Sequence, residues 1–285
     1  MPAATAESSY DPTPCGPIGV FDSGVGGLSV LREIVTQLPY EDVLYIADQA
    51  HVPYGRRPLE EVRQFAFGIT QYLLSKGVKI IVLACNTASA AALKSLRQTY
   101  PKIPFVGMEP AVKPAAESTQ SGVVGVLATP ATFQGELYAS VIERFAQGVT
   151  VYQHTCPGLV QQIEQGDFDS PVSRKILEDA LLPMLKSNID TVVLGCTHYP
   201  FVIPLIQAIV GDQVRVIDPA PAVARQTHRL LAQRNLLRDS NLPGNLLFAT
   251  SGRLDPLRKF LERIGFLSPT IYRVRWQKSR LIDVA

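Results

Sequence analysis

The 285-residue chain has no apolar run near the roughly 20 residues that a membrane-spanning helix needs, so no helical membrane protein is expected. Its start lacks a positive stretch followed by an apolar one, which argues against a secretory signal. Residues 1–17, rich in Ala, Ser, Thr and Pro, read instead as a flexible extension. Excess charge is missing too. Lys and Arg number 27 against 25 Asp and Glu, leaving +2, with no basic block, so neither nucleic acid nor a membrane surface is an expected partner. The four cysteines, Cys15, Cys85, Cys156 and Cys196, form no CxxC pair and share no zinc-ligand spacing with the four histidines, so no metal is expected. Without a secretion signal the thiols are expected to be reduced, in the cytoplasm. No lysine stands in a context that announces a pyridoxal phosphate Schiff base, and no cofactor is expected.

What is present is apolar: 46% of residues are hydrophobic and only 18% charged, enough for the core of one large or two ordinary domains. The run Ile80-Ile81-Val82-Leu83-Ala84 reads as a strand buried on both faces, and it ends in Cys85-Asn86-Thr87 before an Ala-rich helix. Ligands of open α/β sheets bind at the carboxyl ends of strands, so Cys85 is aimed at a crevice. The device recurs in Thr191-Val192-Val193-Leu194-Gly195, followed by Cys196-Thr197-His198.

The whole chain reads as strand–helix alternation. Ile18-Gly19-Val20-Phe21 is a strand, Asp22-Ser23-Gly24-Val25-Gly26-Gly27 a turn, and residues 28–38 a helix. A dinucleotide fingerprint fails because its third glycine falls on Ser29. The glycines still permit backbone N–H groups to face a small anion at the helix start, or simply make a tight turn. Strands at 43–47 and 105–107, and helices at 59–76 and 86–100, complete a first set. The pattern then restarts at Val123-Val124-Gly125-Val126-Leu127-Ala128-Thr129, with one helix expected over 131–146. Gly19 to Cys85 spans 66 positions and Gly125 to Cys196 spans 71, as an internal duplication would give. A last strand at 246–249 and helix at 256–264 should return to the first domain, whereas residues 272–285 suggest no role. The expected fold is therefore α/β, with two pseudo-symmetric domains closing over a cleft. The first comprises residues 18–110 plus 218–285 and the second residues 111–217.

Two thiols at equivalent strand ends suit inversion at a carbon bearing an acidic hydrogen, where one group takes a proton from one face and the other returns one to the opposite face. A free thiol is only a few per cent thiolate near neutrality, and a helix N-terminus, adjacent amides or His198 would lower its pKa. Asp22 and His198 are the candidate acid–base partners of Cys85 and Cys196, with Glu164 a weaker candidate on a helix. Each has a plain structural alternative: an acidic cap, a structural hydrogen bond, a helix-surface carboxylate. A lone buried cysteine is ordinarily a small hydrophobe, and Cys15 and Cys156 are read that way. A hydrolase or decarboxylase using one thiol, and a non-catalytic amino-acid-binding protein, remain open on the residues alone.

Four motifs in order, Gly19-Val20-Phe21-Asp22-Ser23-Gly24-Val25-Gly26-Gly27-Leu28, Pro53-Tyr54-Gly55, Ala84-Cys85-Asn86-Thr87-Ala88-Ser89 and Leu194-Gly195-Cys196-Thr197-His198-Tyr199-Pro200, resemble the glutamate racemases of the aspartate/glutamate racemase superfamily. The resemblance runs from about residue 18 to residue 265. It implies a two-domain α/β fold with the active site between the domains, and cofactor-independent interconversion of L- and D-glutamate, the latter supplying peptidoglycan synthesis. Cys85 would be the base acting on D-glutamate and Cys196 the base acting on L-glutamate. Asp22, Ser23, Pro53, Tyr54, Gly55, Asn86, Thr87, Thr197 and His198 would line the substrate. The stretch Thr129-Pro130-Ala131-Thr132 would supply a substrate-facing threonine, taken as Thr132, and Glu164 matches the family's acidic position. A homodimer is implied. The tail after Leu267 departs from the family pattern, and residues 1–17 have no match to the activator-binding extension of some relatives. Superfamily members acting on aspartate or hydantoins are the nearest alternatives.

Overall fold

The computed structural model describes residues 10–284. The chain first lays down β1 (Ile18–Asp22), α1 (Leu28–Gln37), β2 (Val43–Ala47), α2 (Leu59–Ser75), β3 (Ile80–Leu83), α3 (Asn86–Thr99), β4 (Phe105–Gly107) and α4 (Val112–Ser118). A second series follows: β5 (Val123–Ala128), α5 (Pro130–Gln134), α6 (Glu136–Phe145), β6 (Thr150–His154), α7 (Leu159–Glu164), α8 (Pro171–Lys186), β7 (Thr191–Gly195), α9 (Ile203–Val210) and β8 (Arg215–Ile217). The chain then runs through α10 (Ala220–Gln233), β9 (Leu246–Thr250), α11 (Leu254–Arg263), β10 (Thr270–Gln277) and β11 (Arg280–Asp283).

These strands form two sheets, one ordered β11-β10-β9-β2-β1-β3-β4 and the other β6-β5-β7-β8. All pairings are parallel except the hairpin β10–β11 at one edge. Four adjacent strands of the larger sheet, β2-β1-β3-β4, repeat the order of the smaller one. The register repeats with them. Gly19 lies opposite Ile81 in the first sheet and Gly125 opposite Val192 in the second. Counting four residues on from Ile81 and from Val192 reaches Cys85 and Cys196, so the duplication puts the two thiols at equivalent strand ends. Helices cover the apolar strands: Ile80 to Leu83 are wholly buried, each contributing about 1.5–3 kcal/mol of hydrophobic stabilisation.

Three expectations change. The single helix over 131–146 is two, because Gly135 is extended (φ −73°, ψ 139°) between α5 and α6. Glycine is a poor helix former, so a break there costs little. The tail without an expected role builds β10 and β11, which extend the first sheet beyond β9. Finally, residues 10–17, read as part of a flexible extension, are tied down. The Tyr10 hydroxyl donates to the Val78 carbonyl (2.6 Å), and Lys79 Nζ donates to the Pro14 carbonyl (2.7 Å). Residues 1–9 lie outside the described residues.

Lys79 explains why this segment is held. Its fully buried ammonium pairs with the carboxylate of Glu41, whose other oxygen accepts from the Arg238 N–H (2.9 Å). Removing the cation would leave a buried charge unpaired. Lys79→Ala should therefore lower the unfolding free energy in urea by about 3–5 kcal/mol. A loss below about 1 kcal/mol, the scale of an exposed pair, would contradict this account of the anchor.

Candidate active site

Asp22 is the last residue of β1 and is fully buried. The glycine turn that follows folds back over its carboxylate: Gly27 N–H donates to Oδ2 at 2.8 Å and Gly24 N–H at 3.3 Å. Val25 N–H goes to Glu164 Oε1 at 2.8 Å. The amides that were candidates for a small anion are thus occupied by two of the chain's own carboxylates, because a tethered acid reaches them without losing translational freedom. The turn must also lie close against His198, since a Cβ on Gly26 would collide with the imidazole.

Cys85 and Cys196 leave their strands as matched groups and meet unlike neighbours. Cys85 is the N-cap of α3, and its Sγ accepts from Ala88 N–H at 3.4 Å. A helix start alone would lower this thiol's pKa. Burial, followed by the charge of Asp22, instead pushes it well above its ordinary value, and the Ala88 amide offsets only part. Burial likewise raises Asp22, against the opposing pull of His198, the Gly27 N–H and a hydrogen bond with Cys85. In the other half, Cys196 Sγ lies 3.8 Å from His198 Nδ1, and His198 Nε2 is 2.6 Å from Glu164 Oε1. Burial alone would lower His198, but hydrogen bonds with Cys196 and Glu164, and the charges behind them, hold it well above its ordinary 6.5. The thiols therefore face opposite kinds of partner: a carboxyl group beside Cys85, an imidazolium beside Cys196.

Both thiols line one pocket at the carboxyl ends of β1, β3, β5 and β7. The first sheet contributes Asp22, Ser23, Cys85, Asn86 and Thr87 to its walls, together with Pro53, Tyr54 and Gly55 from the loop after β2. The second contributes Cys196, Thr197 and His198. Two of the expected residues stand outside. Glu164 sits behind His198, and Thr132 sits behind Thr129, whose hydroxyl meets those of Thr132 and Thr87, each at 2.9 Å. Thr129 is the wall residue because it caps α5 at the strand end, whereas Thr132 lies in the helix's first turn. The repeat carried that signal, since Thr129 occupies the place of Ser23. Val160, also on the wall, was missed; it precedes Glu164 by one helical turn on α7.

Asn86 is almost wholly buried on this wall, and neither its amide nitrogen nor its oxygen has a partner. Leaving such a group unsatisfied costs about 1–3 kcal/mol, so these atoms are poised for a polar ligand. Only about 20 Å³ is open to the centre of a water molecule. That is room for roughly one water, and the walls must part to admit an amino acid. Several contacts hold them together: Ser29 Oγ donates to the Thr197 carbonyl (3.0 Å), Thr87 meets Thr129, and Glu164 bridges Val25 to His198. Among the described residues no group of three or more His, Cys, Asp or Glu is arranged to hold a metal ion.

The raised imidazole has a defined consequence. Its stabilising contribution is complete below about pH 6.5 and fades as pH rises through the raised folded value. Glu164→Gln removes a negative charge from that imidazole, so the His198 Cε1–H resonance should titrate at lower pH than in the parent protein. An unmoved titration would show that Glu164 does not set the protonation of His198.

Residues 18–227 match the family Asp/Glu/Hydantoin racemase. A glutamate racemase of Roseiflexus sp. (strain RS-1) is 51% identical over 249 residues, covering 87% of this chain and 92% of that protein. Among solved structures, a glutamate racemase of Bacillus anthracis superposes with a TM-score of 0.82 at 34% identity, over 93% of this chain and 98% of the other. The glutamate racemase of Francisella tularensis subsp. tularensis SCHU S4, in complex with D-glutamate, gives 0.79 at 31% identity over the same shares. Two parallel sheets in matching register, each bringing one thiol to the same pocket, accord with these likenesses, and the chain belongs to the Asp/Glu/Hydantoin racemase family, alongside its glutamate racemases.

Proposed function

We propose that the chain interconverts L- and D-glutamate without a cofactor, using Cys85 and Cys196 as the two bases. The observation that carries this reading is the pair of thiols at equivalent strand ends on one closed pocket, each beside its own acid–base partner. One thiolate removes the α-proton from one face of the substrate and the other thiol delivers a proton to the opposite face. Cys196 acts on L-glutamate and Cys85 on D-glutamate. Asp22 takes up and returns the proton of Cys85; His198, held by Glu164, does so for Cys196. The carbanion that forms between the two steps is stabilised by hydrogen bonds to the α-carboxylate and by exclusion of water. Ser23, Asn86, Thr87, Thr129 and Thr197 are the donors and acceptors for substrate, with Pro53, Tyr54 and Gly55 opposite them and Thr132 supporting Thr129.

In this reading residues 18–110 with 218–285 form one domain and residues 111–217 the other, and their separation admits substrate. The protein is a cytoplasmic homodimer whose D-glutamate enters peptidoglycan, and neither nucleic acid nor membrane takes part. No helix among the described residues is long and apolar enough to cross a membrane.

Purified protein should carry L-glutamate to zero optical rotation with no added cofactor, and Cys85→Ala and Cys196→Ala should each slow this about 10²–10⁴-fold. Full activity in either variant would contradict the two-base scheme. Turnover of aspartate or a hydantoin in place of glutamate would move the chain elsewhere in its family.

A further inference from the structure

The C-terminal hairpin, β10 and β11, lies at the far edge of the first sheet, two strands beyond β2. Yet one of its side chains reaches back to the loop that forms the pocket wall. Trp276 Nε1 donates to Asp48 Oδ1 at 2.7 Å. Asp48 follows β2 directly and is fully buried. The same Oδ1 accepts from Ser251 Oγ (2.6 Å), while Oδ2 accepts from the Tyr54 hydroxyl (2.6 Å) and lies 2.9 Å from His51 Nδ1. Four partners converge on one carboxylate, and one of them, Tyr54, is a wall residue of the pocket.

Tyr54 has no hydroxyl proton to spare for a ligand, because it is given to Asp48, and its oxygen is left only to accept. Its contribution to the pocket is the placement of the short turn Tyr54–Arg56, which carries the Tyr54–Gly55 backbone. Trp276 is held as firmly at its own end. Its ring lies against Phe65 and, edge-on, against His51, with centroids 5.7 and 5.2 Å away. It enters a slot in α2 that exists because residue 68 is glycine, where a Cβ would fall 2.6 Å from Trp276 Cζ3. The hairpin is fastened again at its end, where Asp283 pairs with Lys76 (2.6 Å) and accepts from the Tyr72 hydroxyl. A strand edge with no role beyond extending the sheet needs no buried hydrogen bond to the pocket loop.

We propose that Asp48 is a positioning residue and Trp276 its remote anchor, so that the C-terminal hairpin sets the Tyr54–Gly55 wall against which substrate binds. The proposal rests on the glutamate reading above for the identity of that substrate. Trp276→Phe keeps an aromatic ring in the slot and deletes only the N–H. Since the wall holds substrate and transition state alike, the variant should raise KM for both glutamate enantiomers about three- to tenfold, with kcat within about twofold. Asp48→Asn, which turns an acceptor toward Tyr54 or Trp276 into a donor, should raise KM further. The double variant should be no worse than Asp48→Asn alone.

Trp276 is the chain's single tryptophan, so the parent protein supplies an independent readout. Its emission should change on titration with glutamate, with a half-saturation that coincides with KM. Parent protein that racemises glutamate with unchanged tryptophan emission, or Trp276→Phe that melts earlier with KM unaltered, would overturn the proposal. Parent protein that does not turn over glutamate at all would fault the assigned reaction instead, and the two failures are distinct.

Discussion

The 2.6 Å hydrogen bond between His198 and Glu164 is the interaction on which the rest of the site depends. Glu164 comes from α7 of the second series, and the same oxygen accepts from Val25 in the glycine turn of the first. One carboxylate thereby joins the two halves and, together with the hydrogen bond to Cys196, holds the pKa of an imidazole, which burial alone would lower, well above its ordinary value. If the halves part, Glu164 loses its amide from Val25 and the electrostatic balance at His198 changes with it. In the proposed mechanism, opening for substrate and readiness for proton transfer would therefore be linked through one side chain.

The two thiols occupy equivalent places in a duplicated fold, but their surroundings have diverged. Cys85 lies beside a buried carboxyl group that, after burial, raises its pKa, and Cys196 lies beside an imidazole whose pKa is held well above its ordinary value. A reaction run in both directions needs one thiol protonated and the other not at any moment, and unlike neighbours are a direct way to arrange this. The closed pocket strengthens both effects, since charges interact more strongly where water is excluded. It also explains why the helix N-terminus at Cys85 does not win: a single amide at 3.4 Å offsets little against full burial and an adjacent carboxylate.

Much of this was legible in the sequence because strands buried on both faces are written as continuous apolar runs, and both thiols sit directly after such runs. The duplication was legible for the same reason, and the matching register of Gly19 and Gly125 is its structural expression. What escaped depended on contacts between distant segments. Nothing local in Ser23 to Gly27 says that its amides are taken by Asp22 and Glu164 rather than by a ligand. Thr129 was passed over for Thr132 because both are threonines near the same strand end, and only the cap geometry of α5 separates them. The tail lacks a clear period-two pattern, yet it forms two strands because the edge of β9 offers β10 a partner and β11 folds back antiparallel on β10. Residues 10–17 look disordered by composition and are held by a buried lysine 65 residues further along the chain.

The central claim is that two different thiols, on opposite faces of one carbon, exchange the proton. D-Glutamate incubated in deuterium oxide for a small fraction of one turnover tests it most directly. The account predicts that the L-glutamate formed carries deuterium at its α-carbon while the remaining D-glutamate carries none, because the delivering thiol has exchanged with solvent whereas the abstracting one holds only the protium it has just taken from the substrate. Protium retained at the α-carbon of the product would mean that a single group both removes and returns the proton, and would contradict it.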